Sequence, residues 1–118
     1  MKEQKIDVLH TASEYIDRLI EGINQAVNHF QTGQELKGLN LIEPIVEGFQ
    51  WLTQALDLTQ DIHARKIDLV PLNNHFKEIV ASFEKEDYVL ISDIFQYEVI
   101  PVLEEWRETL RLSLGEQS

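Results

Sequence analysis

Between Glu86 and Leu114 the chain carries its longest strongly patterned segment, EDYVLISDIFQYEVIPVLEEWRETLRLSL. Ile91, Ile94, Phe95, Val99, Val102, Leu103, Trp106 and Leu110 return there at steps of three and four, so they share one face of an α-helix. A strand cannot gather such positions on one side, because its side chains alternate with a period of two. The segment therefore demands a fold in which a long helix over 87–114 buries a continuous stripe. Asp87 is placed to cap its first turn, Leu114-Gly115 closes it, and Glu116 to Ser118 are expected to fray.

The same period recurs upstream. Over 5–31, Leu9, Ala12, Ile16, Leu19, Ile23, Val27 and Phe30 form a stripe opposite Glu14, Asp17, Arg18 and Glu21. Gly22 falls at the edge of that stripe, where another helix is expected to approach closely, and Thr32-Gly33 is a stop signal. Over 69–84, Leu69, Leu72, Phe76, Ile79, Val80 and Phe83 line a shorter helix, with Asp68 as its cap and Pro71 in its first turn.

The run over 34–62 has two seams instead of one. Leu36, Leu39, Ile42, Val46, Phe49, Leu52, Thr53 and Leu56 make the first, and Leu41, Pro44, Gly48, Trp51, Ala55 and Leu58 make the second on nearly the opposite side. A helix apolar on two faces is either sandwiched in its own domain or covered by another chain. Pro44 removes the hydrogen bond to the Asn40 carbonyl, which predicts a kink or a helix starting just before it. Together the four runs predict an all-α fold, a four-helix bundle-like single domain over 1–118, with helices near 5–31, 34–62, 69–84 and 87–114.

Charge and composition narrow the function. The net charge of −11, with Arg65-Lys66 the only adjacent basic pair, argues against free binding to phosphate backbones and so against nucleic acid as a partner. The absence of cysteine removes disulfides, thiol nucleophiles and thiolate metal sites, and fits a reducing cytoplasm. The N-terminal residues lack a secretory pattern, and no apolar run approaches the ~18 residues of a membrane span. A cytoplasmic location with no membrane partner is expected.

Catalytic patterns are also missing. A di-metal bundle site needs Glu-x-x-His pairs on facing helices; none occurs, and His10, His29, His63 and His75 read as surface histidines. No metal and no cofactor are expected. There is no Gly-x-Ser-x-Gly and no Gly-rich phosphate loop. Glu104-Glu105-Trp106-Arg107-Glu108 resembles the EExxE signature of all-α nucleotide pyrophosphohydrolases of the MazG and dUTPase type. The ExxD that should follow on the next helix is absent, since no aspartate lies beyond Glu108.

Glu98 stands apart. On the helical projection it sits between Ile91, Ile94 and Val102, where a carboxylate must be paired, hydrogen-bonded or protonated. Tyr15, Trp51 and His75 are its possible partners. The stretch Glu86 to Trp106 resembles a pattern of small uncharacterised helical proteins of Bacillus-type and clostridial bacteria, in which an acidic D, a second D, a YE pair, a Pro and a terminal W recur. Here these are Asp87, Asp93, Tyr97-Glu98, Pro101 and Trp106, with the upstream GFQWL of Gly48 to Leu52 taken alongside. The resemblance implies a cytosolic bacterial protein of unknown activity, and it puts Tyr97 and Glu98 forward as a buried polar pair.

The expected function is therefore non-catalytic: an acidic interaction or assembly protein, chaperone- or regulator-like, acting on a protein partner or on itself as a homodimer. Secretion and flagellar export chaperones share its small size, acidity and helicity. Leu41, Gly48, Trp51, Ala55 and Leu58 are the candidate interface, with the tryptophan at its centre. The alternative is a small-ligand or metal-dependent enzyme drawing on Glu43, Glu47, Asp93, Glu98 and Glu105.

Overall fold

The computed structural model describes residues 2–115, so the expected fraying of Glu116 to Ser118 lies outside the described residues. Helix α1 spans Lys2–Gln31, α2 Glu35–Leu58 and α3 Val70–Glu84. The fourth helix comes in three pieces: α4 over Tyr88–Ile94, a π-helical turn over Phe95–Val99, and α5 over Ile100–Ser113. Among the described residues there is no strand. The fold is all-α and four-helix bundle-like, as the apolar periodicity requires.

Helix α1 is the spine. Leu9, Ala12, Ile16, Ile23 and Ala26 are fully buried on one line of it, and it packs on α2, α4, the π turn and α5. Facing this line are Phe49, Leu52 and Leu56 of α2 and Phe95, Leu103, Trp106 and Leu110 of the fourth helix. Each such side chain contributes roughly 1.5–3 kcal/mol by leaving water, so the shared core outweighs any surface pair.

The helix ends follow local chemistry. Gly33 closes α1 at φ +77°, a conformation that costs glycine nothing. Asp87 Oδ1 accepts the Leu90 amide at 3.1 Å and caps α4. Asp68 acts one residue earlier than a cap: its Oδ1 accepts the Val70 amide at 3.0 Å, while Leu69 is the residue preceding α3. Helix α2 begins at Glu35 and runs unbroken through Pro44, which rules out a helix starting just before the proline. Asn40 and Pro44 are both exposed, so the carbonyl that loses its donor faces water.

The second helix is shorter than its periodicity suggests. It stops at Leu58, and Gln60–Ile62 form a separate 3₁₀ turn. Buried Thr59 organises this end. Its hydroxyl donates to the Ala55 carbonyl at 2.8 Å and lies 2.9 Å from His63 Nε2, which therefore carries the proton and donates back. Burial pushes the His63 imidazole below its ordinary 6.5, with Asp61 pulling the other way. The folded chain thus takes up that proton less readily than the unfolded chain does. The stability tied to neutral His63 is complete above the unfolded value of 6.5 and is lost as pH falls from there through the lowered folded value. We expect the urea midpoint to drop between about pH 7 and pH 5, and His63→Gln, which keeps a donor for Thr59, to flatten that drop. Asp61, held low by the Lys5 ammonium, stays charged throughout this window.

Among the described residues, the π turn is the one irregularity inside a long helix. Its wide bond runs from the Ile100 amide to the Phe95 carbonyl, five residues back. Pro101 explains its position, since in a regular helix the proline ring would press on the Tyr97 carbonyl and offer it no donor. Inserting one residue into the turn moves the buried line from Ile94 and Phe95 to Val99 and Ile100. Glu98 is carried off that line.

Candidate functional site

Helix α3 packs against α4 and the π turn, and it reaches α2 through Phe76, whose ring meets Phe49 edge-on with centroids 4.6 Å apart. On either side of this contact the two helices leave a groove. One hollow of about 580 Å³ is lined by Leu39, Ile42, Glu43, Val46, Glu47, Gln50 and Phe83. It shares Val46 and Gln50 with a second of about 260 Å³, which adds Phe49, Thr53, Asn73, Phe76 and Val80. The first seam of α2 forms one wall, and the outward edge of the α3 stripe forms the other. Leu39, Ile42, Val46, Phe76 and Phe83 are only half-buried, and Val80 is 56% exposed. Glu43 and Glu47 are the charged side chains of the larger hollow and the smaller one has none, so the groove is largely apolar with an acidic rim at its larger end.

The second seam of α2 divides. Gly48 and Ala55 are buried, and Leu41 is half-buried. A Cβ on Gly48 would run into the Tyr15 hydroxyl and come 2.9 Å from Leu19 Cδ2, so this part of the seam is the tight α1–α2 contact. Gly22, expected at such a contact, has no neighbour closer to its would-be Cβ than Ile45 at 3.9 Å. Trp51 is 40% exposed and sets its ring against Tyr15 at right angles, centroids 5.3 Å apart; Leu58 is 72% exposed and Pro44 is exposed. The seam is thus not one continuous open face. What remains open on it is interrupted by residues turned into α1.

Glu98 lies opposite His75, with Nδ1 and Oε2 3.3 Å apart but not aligned as a hydrogen bond. The Glu98 side chain is 43% exposed instead of lying in the core stripe, because the five-residue turn rotates it outward. Tyr97, expected to be buried beside it, is 69% exposed for the same reason. His75, read from sequence as a surface histidine, keeps only 20% of its side-chain exposure. Glu43, Glu47, Asp93, Glu104 and Glu105 are all exposed, and Glu108 pairs with Arg111 at 3.4 Å. Among the described residues, the acids of the enzyme alternative do not converge. The nearest thing to a ligand set there is His75, Glu78 and Glu98. In sequence its helical pair is not a Glu-x-x-His, because the order is reversed, His75-x-x-Glu78.

No helix of the described residues is long and apolar enough to cross a membrane. No curated protein and no solved structure matches the chain. Residues 7–109 match a family described as "Domain of unknown function (DUF8042)". That span takes in the α1 spine, both walls of the groove, the π turn and most of α5, and the chain belongs to this family.

Proposed function

We propose that this chain is a non-catalytic interaction protein of the bacterial cytoplasm, and that its partner is a basic amphipathic helix seated between α2 and α3. The observation that carries this reading is the α2–α3 groove, apolar along its floor and acidic along its rim at Glu43 and Glu47. A helix presenting apolar anchors at i, i+3, i+4 and i+7 fits such a trough, and lysines or arginines flanking the anchors would meet the two carboxylates. The net charge of −11 favours a basic partner over a second copy, which would bring the same charge to the same rim. The bacterial and cytoplasmic parts of the reading rest on the Asp87-to-Trp106 pattern and on the cysteine-free composition.

The test uses a labelled designed helix with leucine anchors and flanking lysines, followed by fluorescence anisotropy. Val46→Asp and Val80→Asp should each weaken saturable binding by about tenfold or more, roughly 1.4 kcal/mol. Leu58→Glu, on the far side of α2, should leave it unchanged. Binding that ignores both groove substitutions, or an absence of saturable binding, would sink the proposal. Light scattering on a sizing column decides the homodimer. A wild-type dimer that Val46→Asp converts to a folded monomer would give the groove to a second copy instead.

A further inference from the structure

We propose that His75, Glu78 and Glu98 bind a divalent transition cation of the zinc class, which clips α3 to the π turn. Three observations meet at this point. His75 and Glu78, three residues apart, lie on one face of α3, and the π turn presents Glu98 opposite them. Their ligand atoms all fall within 4.8 Å of one another. His75 Nδ1 and Glu98 Oε2 are both shut off from solvent, and neither has a hydrogen-bond partner.

Two unmatched polar atoms facing each other are costly unless something between them satisfies both. Direct pairing does not. A charge-assisted N–H···O bond closes to about 2.7–2.9 Å, whereas these atoms stand 3.3 Å apart without hydrogen-bond alignment. A cation does. Zinc binds imidazole nitrogen and carboxylate oxygen at about 2.0–2.1 Å, which sets adjacent ligands of a tetrahedral centre about 3.3–3.4 Å apart. The observed separation is one edge of that tetrahedron. Glu78 is exposed and needs only a side-chain rotation to supply the third ligand, leaving the fourth position to water. One imidazole and two carboxylates suit zinc and its first-row neighbours better than calcium or magnesium, which prefer an all-oxygen shell.

The π turn gives the site its geometry. A regular helix would hold Glu98 in line with Ile94 and Val102 on the core face, away from solvent and from any cation arriving there. The extra residue turns Glu98 toward α3 while leaving its Oε2 covered. Widened turns of this kind recur where a side chain must be re-aimed for binding.

The experiment is calorimetric titration of zinc chloride alone into the metal-free full chain. Wild type should bind one ion per chain at micromolar concentration or below. Glu98→Gln, Glu78→Gln and His75→Ala should each weaken binding by tenfold or more, whereas His10→Ala and His29→Ala should not. Zinc should also raise the melting temperature of wild type and not that of Glu98→Gln. Circular dichroism checks that each variant is folded, and the exposed Glu78→Gln gives an answer even where Glu98→Gln disturbs the turn. No saturable binding by wild type, or equal binding by wild type, Glu78→Gln and Glu98→Gln, overturns the site.

Discussion

Phe95→Ala is expected to cost about 3–5 kcal/mol of folding stability, roughly a fifth or more of what a domain of this size typically has. Phe95 is the largest fully buried side chain, and it opens the π turn. Truncation removes the transfer free energy of the ring and leaves a cavity that the surroundings refill only in part. Collapse is hindered here because the neighbours on the same helix, Ile91 and Val99, are themselves fully buried and have no spare length. Tyr97→Ala, two residues on, should change stability by no more than about 0.5 kcal/mol, because its ring is largely in solvent. Denaturant melts followed by circular dichroism make the comparison. Similar losses for the two variants would mean that the wide turn does not separate an inward Phe95 from an outward Tyr97.

That contrast also marks where the sequence stops being readable. The four helices follow from the three-and-four spacing of residues such as Leu9, Ile16 and Ile23, since any other element would expose them. The π turn does not follow, because a regular projection assigns every residue the same 100° step and cannot register one extra residue. It placed Glu98 among Ile91, Ile94 and Val102 for that reason. Pro101 was the available signal: a proline inside an otherwise continuous apolar period requires the preceding turn to adjust. His75 could be named as a possible partner of Glu98, but the choice over Tyr15 and Trp51 depends on which helices are neighbours. Tyr15 and Trp51 turn out to face each other across α1 and α2.

The groove was legible in its parts and not in its assembly. Both seams of α2 are visible as spacings, yet nothing in one chain says which seam meets α1 and which meets open space. Side-chain size carried the missing information. Gly48 and Ala55 are the small residues of the second seam, and small residues let helix backbones come close. The first seam, with Leu39, Ile42, Val46 and Phe49, carries bulk that holds a neighbour further away. Between α2 and α3 that bulk leaves hollows.

Size also decides the second large effect. Phe30→Ala should cost about 3–5 kcal/mol, because the ring is buried at the end of α1 and lies flat against Tyr88, with centroids 5.5 Å apart. The ring also covers Gly38 in the first turns of α2: a Cβ there would come within 2.7–2.9 Å of three of its atoms. Gly38→Leu alone therefore overpacks the contact, at about 1–3 kcal/mol, since Tyr88 blocks the ring's retreat. In the Phe30→Ala chain the same substitution should have the opposite sign. The leucine then enters the space the ring has left and replaces a glycine inside a helix, which by itself is worth about 0.8–1 kcal/mol. The double variant should be more stable than Phe30→Ala alone, with a coupling of about 2–4 kcal/mol, the difference between the two signs of the Gly38→Leu effect. Gly33 is the control for backbone effects, since it has φ +77° and no atom within 4 Å of a would-be Cβ. Gly33→Ala should cost about 1–2 kcal/mol whether or not Phe30 is present. Additive losses in the Phe30–Gly38 cycle would show that ring and glycine do not share one space, and that the close approach of α1 and α2 at this end has another cause.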